Sequence, residues 1–209
     1  MEAVEHEAEY KVPANQIWYT ATALVEPNTS AFNVTITSNE WNETTGEGII
    51  TFDDELTMIG DEAFRGCGSL TSVTIGDSVT TIGDEAFAYC YSLTSVTIGD
   101  SVTTIGDRAF AGCESLTSIT IGDGVTTIGG YAFYNCSSLT SVYCKATTPP
   151  SLGDDAFKYW DEDAQEDVNI GCAIYLPAES VEAYKAAEYW SEYAVNIVGY
   201  DFETGEVVE

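Results

Sequence analysis

The chain repeats itself every 23 residues, and this period limits the possible folds more than any other feature. Leu70, Leu93, Leu116 and Leu139 fall under one another. So do Phe64, Phe87, Phe110 and Phe133, then Ile59, Ile82, Ile105 and Ile128, and finally Cys67, Cys90, Cys113 and Cys136. Segments 71–84 and 94–107 are identical, and the copy from Thr117 differs from them only at Ile119, Gly124 and Gly130. A weaker copy runs from about Glu47, with Ile50, Phe52 and Leu56 in the apolar places. A degenerate copy follows Leu139 and slips by one residue at Pro149-Pro150, which makes its phenylalanine Phe157.

A unit this short cannot bury its own apolar face, so copies must stack and share one continuous core. Leu70, Val73 and Ile75 follow L-x-x-L-x-L, the strand signature of a leucine-rich repeat. Val73-Thr74-Ile75 alternates in, out, in, as a half-buried strand does. Gly76-Asp77 and Gly83-Asp84 are turn signals, and Val79 and Ile82 point back inward. Asp84-Glu85-Ala86-Phe87 reads as one helical turn with an acid near its start. The reading is an α/β solenoid of about five coils, with strands about 4.8 Å apart and ladders of leucine, phenylalanine and cysteine inside it.

The full motif, L-x-x-[VI]-x-[IL]-x-x-x-[VL]-x-x-I-G-x-x-A-F-x-x-C, resembles the BspA-type (Treponema pallidum-type) leucine-rich repeats of bacterial surface proteins over residues 47–160. The resemblance implies a right-handed leucine-rich-repeat solenoid that is extracellular or displayed on the cell surface. It also implies a role in adhesion to host proteins or to other cells.

Exposed solenoid ends need caps. Residues 13–46 hold the β-rich runs Ile17–Thr20 and Phe32–Ile36, separated by Asn-rich turns, and read as an N-terminal β cap. Residues 1–12 read as an acidic flexible tail. Residues 161–209 read as a C-terminal strand-helix-strand cap. In it Ala173–Pro177 is a strand, Ser180–Ala187 a helix with Val181, Tyr184 and Ala187 on one face, and Asn196–Tyr200 a last strand. Residues 158–170 form the most acidic stretch and read as a loop outside the repeat. Met1–Glu5 has neither a basic nor an apolar region, so no signal peptide is read there. Either the protein is cytosolic or a leader has been removed. The run Pro13–Tyr19 resembles the segment that follows the leader in many secreted bacterial proteins.

Charge excludes several function classes. Six Lys and Arg against 35 Asp and Glu give −29. That field repels phosphate backbones and anionic headgroups, so nucleic-acid binding is excluded. No apolar run approaches the roughly 20 residues of a membrane span, and no membrane insertion is expected. The single histidine, His6, sits in the acidic tail, which removes mechanisms built on a buried imidazole. The acids recur with the repeat and do not converge on one cleft, so the chain is read as not an enzyme.

The cysteines form a line, not a tetrahedron, and no C-x-x-C pair exists. They are expected to be buried, reduced and metal-free. Cys144 and Cys172 fall outside that line, and a disulfide between them is an option in an oxidising compartment. Asp77, Asp100 and Asp123 recur in a column with Asp54, and Asp61, Asp84 and Asp107 in a second one. Neighbouring carboxylates about 5 Å apart repel by about 0.8 kcal/mol even in water. They are read as turn residues accepting backbone N–H groups, with a weak Ca²⁺ site at Asp77, Asp100 and Asp123 as the alternative; no other cofactor is expected.

The outward strand residues make the candidate ligand face: Ser72, Thr74, Ser95, Thr97, Ser118, Thr120, Ser141 and Tyr143, with Lys145 beside them. Until Tyr143 and Lys145 this face shows no aromatic or basic anchor. Two readings follow. One is a non-enzymatic adhesion module for an unidentified host or bacterial surface protein or a glycan. The other is a structural spacer, which the near-identity of the copies favours. The charge further implies that a cationic surface, not nucleic acid, binds with steep salt sensitivity.

Overall fold

A computed structural model of the protein describes residues 11–208. Most of the expected acidic tail, His6 included, lies outside the described residues. Two sheets run along the stack. The larger has ten strands, ordered Glu206–Val208, Ile197–Asp201, Ala173–Pro177, Ser141–Cys144, Ser118–Ile121, Ser95–Ile98, Leu70–Ile75, Gln16–Ala21, Glu47–Phe52 and Ile36–Trp41. The smaller joins five two-residue strands, Met58–Ile59, Thr81–Ile82, Thr104–Ile105, Thr127–Ile128 and Ser151–Leu152, all parallel. Pairing keeps the repeat register, with Val73 opposite Val96, Thr74 opposite Thr97 and Thr97 opposite Thr120.

Each coil turns the same side chains inward. Leu70, Val73, Ile75, Val79, Ile82, Ala86, Phe87 and Cys90 are all buried. Phe64, Phe87, Phe110, Phe133 and Phe157 stack with centroids 4.9, 5.1, 5.5 and 5.0 Å apart and rings within 4° of parallel. Phe32 closes the column at one end, tilted 73° to Phe64, and Tyr193 closes it at the other, 88° from Phe157.

The expected helical turn is absent. Glu62, Glu85, Arg108, Tyr131 and Asp155 all have φ of 53–58°. Such a backbone costs a non-glycine residue about 1–2 kcal/mol and cannot continue a right-handed helix. Alternate amides leave the coil instead: Glu85, Phe87 and Tyr89 donate to the carbonyls of Asp107, Ala109 and Ala111 at 2.9, 2.7 and 2.8 Å. Ala86 and Ala88 donate within their own coil, to Gly83 and Glu85. This third ladder between coils offsets the local backbone cost.

At the N-terminal end the weak copy from Glu47 departs from expectation. Gln16–Ala21 lies between Glu47–Phe52 and the first solenoid strand and runs antiparallel to both, while Glu47–Phe52 keeps the direction of the solenoid strands. Gln16–Ala21 alternates Ile17, Tyr19 and Ala21 inward, so it takes the place that a parallel strand would fill. From Leu56 onward, with Ile59, Ala63 and Phe64 all buried, the chain follows the coil.

The C-terminal cap is the expected strand, helix and strand, with one short helix, Val181–Ala186. Tyr184 and Trp190 are wholly buried and donate to the carbonyls of Ala146 and Pro150, both at 2.8 Å. The acidic stretch expected as a loop is a hairpin, Lys158–Asp161 with Glu166–Asn169. The Asp161 carboxylate accepts the amides of Asp163 and Ala164, both at 2.9 Å, and so builds the turn. The Lys158 ammonium ties the hairpin base to Asp155 at 2.7 Å and Glu192 at 2.9 Å.

Candidate functional site

Strand register aligns the candidate face into rows. One row runs Ile49, Trp18, Thr74, Thr97, Thr120, Tyr143, Tyr175 and Val198. The next runs Thr20, Ser72, Ser95, Ser118, Ser141 and Ala173. Thr74 and Thr97 are exposed; Ser72, Ser95, Ser118, Thr120, Ser141, Tyr143 and Lys145 are half-buried. The Thr20 hydroxyl lies 2.7 Å from that of Ser72, so the row is hydrogen-bonded at its first coil.

Both ends of this face are aromatic, and the sequence reading recognised only one. Trp18 stands opposite Thr74, on an inserted strand outside the repeat. At the other end Tyr143 stacks on Tyr175 with centroids 4.8 Å apart and rings 13° from parallel. Tyr200 meets both, at 5.5 and 5.3 Å, and Phe202 packs edge-on against Tyr200 at 5.0 Å. Tyr175 and Tyr200 belong to cap strands, where the period no longer marks outward positions. The alternation of buried Ile174 and Leu176 was the available signal for Tyr175.

Apart from Asp54, which accepts the Glu55 amide at 2.8 Å, the bonded column aspartates are tied between coils. Asp61 Oδ1 accepts the amide of Asp84 at 2.9 Å, Asp84 Oδ1 that of Asp107 at 2.8 Å, and Asp107 Oδ1 that of Gly130 at 2.8 Å. In the other column Asp77 and Asp100 accept the amides of Asp100 and Asp123, each at 3.4 Å. Two lysines serve that column: Lys11 lies 3.3 Å from Asp77, and Lys145 reaches Asp100 at 3.4 Å. Among the described residues no three metal-ligating side chains converge, at Asp77, Asp100 and Asp123 or elsewhere.

All six cysteines are free thiols, and Cys67 is only half-buried, contrary to expectation. It lies in the first coil, where the only thiol acceptor is the distant Glu26 carbonyl at 3.8 Å. Cys144 and Cys172 are unpaired with each other, and Cys144 sits 3.4 Å from the Tyr184 hydroxyl. Burial raises the thiol pKa of each, to about 11 at Cys67 and about 12 at Cys172. None is therefore a thiolate at neutral pH.

Among the described residues no helix is long and apolar enough to cross a membrane. Among curated proteins none matches the chain. The chain is similar to a leucine-rich cell surface protein of Faecalibacterium prausnitzii, at 30% identity and TM-score 0.43, over 54% of this chain and 32% of that one. It is similar to the pneumococcal vaccine antigen PcpA at 18% identity and TM-score 0.48, over 68% of this chain and 37% of that one. A leucine-rich repeat protein of Bacteroides ovatus matches at 25% identity and TM-score 0.32, over 61% of this chain and 55% of that one. The match thus spans about a third of the first two relatives and about half of the third. The profile of the BspA type leucine-rich repeat region fits residues 34–162 in six copies. With that match and the stacked coils behind it, the chain belongs to the BspA-type leucine-rich-repeat family.

Proposed function

We propose that the protein is a non-enzymatic, secreted or surface-displayed binding module that engages a protein or glycan through its strand face. The observation that carries this is the cluster of Tyr143, Tyr175, Tyr200 and Phe202, which ends the Ser/Thr rows on the C-terminal side. Aromatic anchors of this kind dominate binding energies, while small hydroxyls contribute mainly fit. The likeness to cell surface proteins supports an extracellular setting. Asp61, Asp84 and Asp107 are engaged with backbone amides of the next coil, which supports a structural role for that column.

The test is binding to a panel of matrix proteins and glycans, with Tyr143→Thr as the variant. Threonine holds the equivalent place at Thr74, Thr97 and Thr120, so the coil tolerates it. Binding that Tyr143→Thr abolishes supports the reading; binding that it leaves unchanged moves the site elsewhere. The second reading, a spacer, is favoured by the identity of segments 71–84 and 94–107, and a chain that binds nothing in the panel supports it.

A further inference from the structure

We propose that the groove beside the aromatic cluster binds a Lys/Arg-rich peptide segment of the partner. The proposal rests on the surface-binding reading above and names the chemistry of its ligand. The groove holds about 580 Å³ and is open along the surface. Tyr200 and Phe202 form its aromatic wall, and Asp123, Glu179, Asp201 and Glu203 supply carboxylates around it. Among the described residues none of these four acids lies within ion-pair distance of a lysine or arginine.

The donor and acceptor balance selects the ligand. The one cation at the rim, Lys145, is directed to Asp100. The charged groups left in the groove are acceptors. Guanidinium and ammonium groups are donors only, so they satisfy such a surface without competing acceptors. A neutral sugar brings as many acceptors as donors and leaves part of the site unmatched. The rings suit the same ligand, because cations are attracted to aromatic faces and Arg also stacks on them. The amides of Thr204 and Glu203 hold the Asp201 carboxyl below its usual range, which keeps it charged in mild acid. The net charge of −29 steers a basic segment inward and repels an acidic one.

The geometry favours a segment over a single cation. Lys145 also borders a second groove, of about 270 Å³, which carries Asp77 and Asp100. The two grooves are therefore neighbours along the C-terminal ends of the strands; Lys11 and Lys145 already pair with Asp77 and Asp100 in the second, and the four acids of the first are left to serve several basic side chains at once.

The test is fluorescence anisotropy with a labelled peptide of alternating Arg and Gly, its Lys counterpart and its Glu counterpart, on the full chain. Arg and Lys peptides are expected to bind, Arg more tightly, with affinity falling as salt rises; the Glu peptide is expected not to bind. Asp123→Asn with Glu203→Gln should weaken binding about fivefold, as two lost surface charge pairs do. Glu162→Gln with Glu166→Gln, in the hairpin outside the groove lining, removes the same charge and should leave affinity unchanged. Phe202→Ala should erase the preference for Arg. Equal weakening by both double variants would reduce the effect to bulk charge and overturn the proposal. So would absence of peptide binding, or a neutral oligosaccharide that displaces the peptide. If these fail while panel binding still depends on Tyr143, the surface-binding reading stands and only the basic ligand is lost. If the peptide binds and the panel does not, the groove stands alone.

Discussion

The Cys113 thiol donates to the carbonyl oxygen of Phe87, 26 residues earlier and one coil back, at 3.2 Å. The same oxygen accepts the Cys90 amide at 3.3 Å. Cys90 and Cys136 repeat the arrangement on the carbonyls of Phe64 and Phe110, at 3.1 and 3.2 Å. A carbonyl has two lone pairs, and here amide and thiol fill both inside a dry core. Cysteine recurs because the site needs a small apolar side chain that is also a weak donor.

Cys113→Ala should therefore cost about 1–3 kcal/mol, combining a small cavity with the loss of one weak bond. Urea denaturation measures it. Thiol labelling of the folded protein should modify Cys67 first and leave the five buried thiols until denaturant is added. Rapid labelling of Cys90 or Cys136 would show that the coils open.

Phe110 lies between Phe87 at 5.1 Å and Phe133 at 5.5 Å and is wholly buried. Phe110→Ala should cost about 3–5 kcal/mol. A loss below about 1 kcal/mol would show that this phase of the ladder is wrong.

The solenoid interior was legible because its cause is periodic. Phe64 to Phe157 had to stack once the copies stacked, including the slip at Pro149-Pro150. What escaped reading depends on contacts between coils or on segments outside the period. The turn at Glu85 looks helical in isolation, and only the carbonyls of Asp107 and Ala109 draw its amides away. Trp18 reaches the strand face because Gln16–Ala21 pairs with Leu70–Ile75 across 49 to 56 residues, a choice no local signal sets. In the hairpin the acidic composition hid the strands, although Tyr159 stands opposite Val168 across it.

Alkaline pH should destabilise the fold. Buried thiols have folded pKa values above their ordinary 9.0, near 12 at Cys172 and higher still at Cys90 and Cys136. Above the ordinary value the unfolded chain releases these protons while the folded chain keeps them. Stability is thus intact below about pH 9 and falls as pH rises towards the folded values, by up to about 1.4 kcal/mol per pH unit for each such thiol. Denaturation under reducing conditions at several alkaline pH values checks this. Cys113→Ala should make the decline shallower, and a flat profile would contradict the burial.

The aspartate columns predict an asymmetry between two substitutions. Asp107 accepts the Gly130 amide while donating its own to Asp84. Asp107→Ala removes the acceptor and should cost about 0.5–1.5 kcal/mol. Asp107→Asn keeps an oxygen there and relieves one charge, so its effect should stay within about 0.5 kcal/mol. Sodium chloride should raise the melting temperature, because −29 is mostly exposed repulsion, and calcium should add no more than its ionic strength explains. A melting temperature that falls with salt would mean that the favourable charge contacts outweigh the repulsion.

The third copy offers a test in which consensus should fail. Gly124 takes the place of Ser78 and Ser101, so Gly124→Ser makes the repeat more regular. Repeat consensus substitutions ordinarily stabilise. Here a Cβ built on Gly124 would run into the Asp100 carbonyl oxygen and meet the Val102 oxygen at 3.3 Å. The first contact is with backbone, which cannot swing aside as a flexible side chain does. The turn at 122–125 would have to shift, although the Val125 amide closes it on the Gly122 carbonyl. Gly124→Ser should therefore cost about 1–3 kcal/mol, in the range of overpacking. The reverse change, Ser101→Gly, creates no such contact and should cost less. Equilibrium denaturation of both variants decides it, and a Gly124→Ser chain more stable than the parent would show that the turn relaxes freely between coils.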